Sequence, residues 1–258
     1  MNKYVADDSG HGLARASMVV NNTSIVVSTN TGFVKSVNED RYFVGPLDDD
    51  SLVLAVADGL GGDVSSDVAA EIAMDRIACL KSLNKGREAK ELNAFARKLD
   101  LLIDKKARTH PSLTYMATTL VCLVLRFDTI HWLNAGDSRF YILRDNRLIQ
   151  VTRDQTLARV LVEEGRLKPG EAEGHFSSDI LDQCLGYGMC DPETGHIRVK
   201  KNDLLILATD GMHKMVTCHE ILTLLTADTT LEEKIDALMN AALESGGTDN
   251  ITIILARV

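Results

Sequence analysis

The sequence predicts an α+β fold made of stacked layers of sheet and helix, and three observations carry that prediction. Short β-branched and apolar runs are clustered, first at 24–29, 42–44 and 52–57 and then densely from 118 to 150. Helical periodicity comes in two pairs of segments, one on each side of the main strand block, and does not alternate with single strands. No Pro-, Gly- or Ser-rich linker and no internal repeat divides the 258 residues. Strands segregated from paired helices argue for layers over βαβ units, and for one folded domain.

Each element follows from its own pattern. The run SIVVST at 24–29 is β-branched, and LVLAVA at 52–57 is unbroken apolar, as in a strand covered on both faces. A helix is expected after Gly62, with Val68, Ile72, Ile77 and Leu80 on its apolar side. From 88 to 108, Leu92, Phe95, Leu99, Leu102 and Ile103 recur at helical spacing. Strands are expected at 118–125, 129–134, 139–143 and 147–150, with Asp145 and Asn146 making a tight hairpin turn. Residues 156–185 are polar and Gly-containing and read as a surface excursion. Strands follow at 196–199 and 204–208. Thr217 with Glu220, and Thr230 with Glu233, fit capping boxes that start two helices, and 251–258 closes the chain as a strand. Residues 1–22 read as a loose leader or an added edge, leaving 23–258 as the domain.

Composition excludes several classes. Net charge is −9, hydrophobic residues are 45% and charged residues 25%, so a core can form and bulk attraction to nucleic acid or anionic membrane is not expected. The five cysteines have no CxxC spacing, which argues against a disulfide framework or structural zinc. No apolar run is long enough to span a bilayer, and Asp7 and Asp8 in an unapolar N-terminus do not suit a signal peptide. A cytoplasmic, reduced protein is the expectation. The seven histidines show no mutual metal-ligand spacing, and His213, three residues after Asp210, is the one expected nearest a cleft.

The chemistry-bearing residues are acids at strand ends. They are Asn38-Glu39-Asp40, Asp58-Gly59, Gly136-Asp137-Ser138-Arg139, Asp210-Gly211 and Thr248-Asp249-Asn250. Any one alone reads as a turn, and Asp137 could simply pair with Arg139. Five together suit a hard divalent cation, which takes carboxylate, carbonyl and water oxygens. Carboxylates on separate strand ends can converge on one cleft. Glu39 and Asp40 point in different directions in an extended chain, so only one is expected to ligate directly.

Taken as an ordered set, GFVKSVNEDR (32–41), VADGLGG (56–62), TT (118–119), NAGDSRFYILR (134–144), ATDGM (208–212) and GGTDNIT (246–252) resemble the metal-dependent serine/threonine protein phosphatases of the PP2C (PPM) family, in its bacterial branch. The resemblance implies a four-layer α-β-β-α sandwich with two central, mainly antiparallel sheets and a metal centre at one end. It implies Asp58 bridging two Mn²⁺ or Mg²⁺ ions. The Gly59 carbonyl would lie on one ion, with Glu39 and Asp40 reaching it directly or through water. Asp210 and Asp249 would hold the other, and Asp137 would help Asp210 hold a third, weaker ion. Asn250 would support Asp249. The segment 153–185 would be the flap beside the site.

Two departures stand out. Lys35 occupies the place of the family's phosphate-holding Arg, keeping the charge but losing the bidentate fork. Leu60 stands where some members carry His, so the proton donor to the leaving group is unassigned. The implied reaction is hydrolysis of phosphoserine and phosphothreonine in proteins by a water or hydroxide bridged between the two cations, with Lys35, Asp40 and Asp58 as the catalytic residues. The implied partner is a phosphoprotein, a Hanks-type kinase or its targets; the sequence leaves oligomeric state open, and a monomer is the default. The competing readings are a non-catalytic phosphoprotein- or kinase-binding module of the same fold, a phosphatase of an anti-sigma-factor-type switch or a secretion apparatus, which changes the partner and not the chemistry, and a hydrolase of small phosphoesters.

Overall fold

A computed structural model describes residues 14–61, 66–172 and 174–258. The chain runs through β1 (Ala14–Val20), β2 (Thr23–Asn30), β3 (Arg41–Pro46), β4 (Leu52–Ala57) and β5 (Gly59–Leu60) before helices α1 (Ser66–Ile77) and α2 (Glu88–Thr109). Next come β6 (Ala117–Thr118), β7 (Leu120–Arg126), β8 (Thr129–Ala135), β9 (Arg139–Arg144) and β10 (Arg147–Gln150). The excursion holds α3 (Leu157–Glu163), α4 (Pro169–Ala172) and a 3₁₀ turn at Phe176–Asp179. Then follow β11 (Glu193–Arg198), β12 (Leu204–Ala208), α5 (Asp210–His213), α6 (Cys218–Thr226), α7 (Leu231–Glu244) and β13 (Ile251–Arg257).

The strands form a six-stranded sheet, β1-β2-β13-β12-β9-β10, and a five-stranded sheet, β11-β8-β7-β4-β3. Every pairing is antiparallel. A side-chain period of two explains the layers. On β4, Leu52, Leu54 and Val56 pack toward the other sheet with Ile254 and Ala256 of β13 and Leu205 and Leu207 of β12. Val53, Ala55 and Ala57 pack instead against Ile77 of α1 and Leu92, Leu99 and Ile103 of α2. The six-stranded sheet repeats the arrangement, with Ile251, Ile253 and Leu255 against Ile221, Ile235 and Leu238. The result is helices, sheet, sheet, helices. Strands covered on both faces lose the polar alternation, which is why 52–57 reads as uniformly apolar.

Three local expectations need adjustment. The expected strand at 118–125 is split at Thr119, because Thr118 turns away to pair with Gly59 and to bridge Leu185. Part of the expected leader, Ala14–Val20, is an edge strand paired along its whole length with β2; residues 1–13 lie outside the described residues. The expected strand at 196–199 begins earlier, at Glu193, in register with Asn134.

Candidate metal centre

The antiparallel registers bring the acid-bearing loops to one end of the sandwich. Arg41, which follows Asp40, lies opposite Ala57, which precedes Asp58. In the other sheet Ala208 lies opposite both Arg139 and Ile253, which aligns the segments carrying Asp210, Asp137 and Asp249. Threonines join these ends. Thr209 Oγ1 donates to Asp40 Oδ2 at 2.8 Å and accepts from the Thr252 amide at 3.0 Å. Around Asp58, the Thr119 amide and the Thr118 hydroxyl both donate to its carbonyl at 2.9 Å, and its own amide donates to Thr119 Oγ1 at 3.1 Å. Thr119 Oγ1 also contacts Ser138 Oγ at 2.7 Å, tying Asp58 to the turn that carries Asp137. The strand break at Thr119 therefore serves to fix the Asp58 backbone.

Asn250 takes a role that sequence reasoning placed elsewhere. Its side chain accepts from the Glu39 amide at 2.7 Å and donates to the Thr31 and Val37 carbonyls at 2.9 and 3.0 Å. It thus pins the 31–39 loop, and only its backbone amide serves Asp249, at 2.8 Å to Oδ1. Two glycines permit the close packing. A Cβ at Gly211 would lie 2.0 Å from the Asn250 carbonyl oxygen, and one at Gly32, where φ is +78°, would lie 2.3 Å from that of Asp249.

The alternative pairing of Asp137 with Arg139 is not formed. Arg139 makes a two-pronged contact with Asp154, at 2.8 and 2.6 Å, and Asp137 faces Lys214. His213 is buried behind the cleft, its Nε2 bonded to the Asp137 carbonyl at 2.9 Å, and burial pushes its pKa down to about 4.

Electrostatics mark the cluster as short of positive charge. Asp40 is fully buried, and its carboxyl is pushed up to about 7 by burial first, with hydroxyls of Thr209 and Thr252 opposing and Asp210 and Asp249 adding. Asp58, half-buried, is raised well above its ordinary value by burial and then by Asp210, Asp40, Asp137 and Asp249. Asp137 is pushed up to about 7 by burial and Asp210, against Lys214. Glu39 is raised by burial, with Lys35 opposing. Asp210 runs the other way. Burial would raise it, but the Lys214 ammonium, 2.8 Å from Oδ2, outweighs that and holds it low.

Lys35 Nζ sits 3.0 Å from Asp249 and 3.7 Å from Glu39, with 39% of its side chain exposed. The expected residues are thus brought together. Among the described residues no three carboxylate, His or Cys side chains stand as a group that could hold a metal ion as they are placed. Asp40 Oδ1 and Asp210 Oδ1 are nonetheless buried with no hydrogen-bond partner, and Asp58 and Asp210 repel each other. Buried carboxylate oxygens without donors, among mutually repelling acids, fit a hard cation. Gly59 is buried at the start of β5, next to Asp58.

Sequence reasoning gave no role to Thr209, the Thr118–Thr119 pair or Lys214. The signal for Lys214 was its position four residues after Asp210, within reach on one helical turn.

Comparison with known proteins follows the same lines. The family model described as "Protein phosphatase 2C" matches residues 34–255. The chain is 30% identical over 247 residues to the serine/threonine protein phosphatase PstP of Mycobacterium tuberculosis, covering 95% of this chain and 46% of that one, so it spans about half of that relative. It is 32% identical over 233 residues to the serine/threonine phosphatase stp of Listeria monocytogenes, covering 88% and 92%. A crystal structure of the catalytic domain of a phosphatase PstP in complex with two manganese ions superposes with a TM-score of 0.78 at 29% identity, over 95% of this chain and 97% of that one.

Proposed function

Since the chain belongs to the protein phosphatase 2C family, we propose that it hydrolyses phosphoserine and phosphothreonine in proteins, using two divalent cations, Mn²⁺ or Mg²⁺, at the acidic end of its sandwich. The observation that carries this is the pair of buried, donorless oxygens, Asp40 Oδ1 and Asp210 Oδ1, in a cluster that also holds Asp58, Asp137 and Asp249. A binding module that had given up catalysis would be expected to have lost one of these acids, and all are in place.

In this reading Asp58, Asp210, Asp249, Glu39 and the Gly59 carbonyl hold the two ions, with Asp40 fixed beside them by Thr209. Bound cations supply charge neutralisation at the phosphoryl oxygens and an activated water at neutral pH. The protein's own part is placement. Thr118 and Thr119 hold the Asp58 backbone, and Asn250 holds the 31–39 loop so that Lys35 stands at the solvent side of the acids. Lys35 then turns from Asp249 to the phosphate as a single positive charge. Leu60 is apolar and His213 is held behind Asp137, so neither protonates the leaving oxygen. The excursion from 153 to 185 meets the site through the Thr118–Leu185 bridge, where it borders the substrate path and selects among phosphoproteins. The partner in this reading is a Hanks-type kinase or one of its targets, and the acting form is a monomer. No helix among the described residues is long and apolar enough to cross a membrane.

The test is hydrolysis of a phosphothreonine peptide with and without millimolar Mn²⁺, alongside Asp210→Ala. Activity that needs Mn²⁺, stops with chelator and is lost in the variant supports the reading. No turnover with Mn²⁺ demonstrably bound overturns it.

A further inference from the structure

The ammonium of Lys214 stands among three carboxylates. Nζ is 2.8 Å from Asp210 Oδ2, 2.9 Å from Asp179 Oδ1 and 3.5 Å from Asp137 Oδ2. The contacts to Asp210 and Asp179 are close ion pairs, and Asp137, farther off, is held by charge. The side chain is not free to leave easily. Its residue caps α5, and its backbone amide donates to the Asp210 carbonyl, so its stem starts one turn from the acid it meets. Asp137 and Asp210 are themselves enclosed, with 6% and 16% of their side chains exposed, whereas Asp179 is 69% exposed and belongs to the 3₁₀ turn of the excursion. Lys35 differs in its partners. Among the described residues its ion-pair partners are two acids, Glu39 and Asp249, and neither belongs to the excursion.

We propose that Lys214 is a resident cation of the site: it fills the position between Asp137 and Asp210 that would otherwise take a further divalent ion, and it fastens the 176–179 turn to that position through Asp179. Two close carboxylates require a positive charge near them. A tethered ammonium supplies it without the entropy of capturing an ion from solution, and a compact point charge suits a pocket of carboxylates. Asp137 is then a partner of Lys214 and not a metal ligand, and the turn is held by a side chain at every metal concentration.

The inference rests on the reading of Asp58 and Asp210 as ligands of two ions, and the test separates the two claims. Free Mn²⁺ is followed by electron paramagnetic resonance while metal-free wild type, Lys214→Met and Asp179→Asn are titrated, with circular dichroism confirming the fold of each. The expected count is two ions per chain for wild type and Asp179→Asn, and three for Lys214→Met. Amide hydrogen exchange over 176–182 in metal-free protein is expected to speed up about threefold in both variants, the effect of losing one partly exposed ion pair. Three ions on wild type, which needs no variant to observe, overturns the inference. So do two ions on Lys214→Met, or unchanged exchange in both variants. In these cases the metal reading stands. No Mn²⁺ bound by any of the proteins overturns the metal reading, and the inference with it.

Discussion

Thr209 donates its hydroxyl to Asp40 Oδ2 at 2.8 Å, and that single bond joins the end of β12 in one sheet to the residue before β3 in the other. Thr209 is fully buried, and the same oxygen accepts from the Thr252 amide. The site is therefore assembled across the seam between sheets, and its geometry depends on how the two sheets stack.

Thr209→Val keeps the shape and removes both bonds. Asp40 would then have neither oxygen satisfied by this neighbour. Unfolding in urea is expected to show a loss of about 1–3 kcal/mol, with weaker Mn²⁺ binding in a titration. Unchanged stability and unchanged Mn²⁺ affinity would show that the bond positions nothing.

Lys35 sits half-exposed between Asp249 and Glu39, and in the proposed function it exchanges an acid for the substrate phosphate. Lys35→Ala should raise KM for a phosphothreonine peptide about tenfold, the worth of one charge-assisted hydrogen bond. Lys35→Arg should lower KM below wild type by restoring a two-pronged contact. Steady-state kinetics that leave KM alone in both variants would remove Lys35 from substrate binding.

Asp100 on α2 is buried and accepts from three backbone amides of one loop: Gly186 at 2.7 Å, Gly188 at 2.9 Å and Cys190 at 2.9 Å. That loop follows directly on Leu185, which bridges Thr118 beside Asp58. Asp100→Ala strands those donors and is expected to cost about 3 kcal/mol, read as a lower denaturation midpoint. Asp100→Asn retains acceptor capacity on one oxygen and should cost less. Equal losses in the two variants would contradict this account.

Asp203 gives a pH dependence with a defined sign. Burial would raise its carboxyl, but the Arg144 fork at 2.9 and 2.6 Å and the Lys200 amide outweigh burial and hold it below the usual range. A depressed folded pKa contributes stability above the unfolded value, near 3.9 for Asp, and loses it as pH falls through the folded value. Wild type should exceed Asp203→Asn by about 2 kcal/mol at pH 7, and the gap should narrow below about pH 4. A gap that stays constant down to pH 3 in denaturant titrations would rule out the ion pair as its source.

What the sequence made legible was local. Both capping boxes are present in full, at Thr217 with Glu220 and at Thr230 with Glu233. The hairpin turn at Asp145 and Asn146 has the positive φ angles, 50° and 56°, that those residues tolerate. The ordered acids were legible as strand-end residues, since each follows or precedes an apolar run. What escaped was set by partners distant in sequence. Nothing near Thr119 announces that its amide serves Asp58, and nothing near Asn250 announces a loop more than two hundred residues upstream. Arg139 looked like a partner for its neighbour Asp137, but Asp154 offers both carboxylate oxygens to the guanidinium and wins. Ala14–Val20 carries little pattern because an edge strand with alternate residues exposed needs little apolar content.

The position of β13 has a consequence for how the protein comes into being. This strand, at 251–257, lies inside the six-stranded sheet, with β2 on one side and β12 on the other. During synthesis those two neighbours emerge from the ribosome before the strand that separates them, and each must wait with an open backbone edge. The sheet can close only when residues 251–257 have emerged, after which Asn250 can secure the 31–39 loop and Asp249 can take its place. Such late, long-range pairing is slow and leaves unpaired strands open to wrong partners. A nascent chain stalled before this point should hold the earlier acids but no completed site, so the acidic cluster should be assembled as a late step in biogenesis and not grow gradually with chain length.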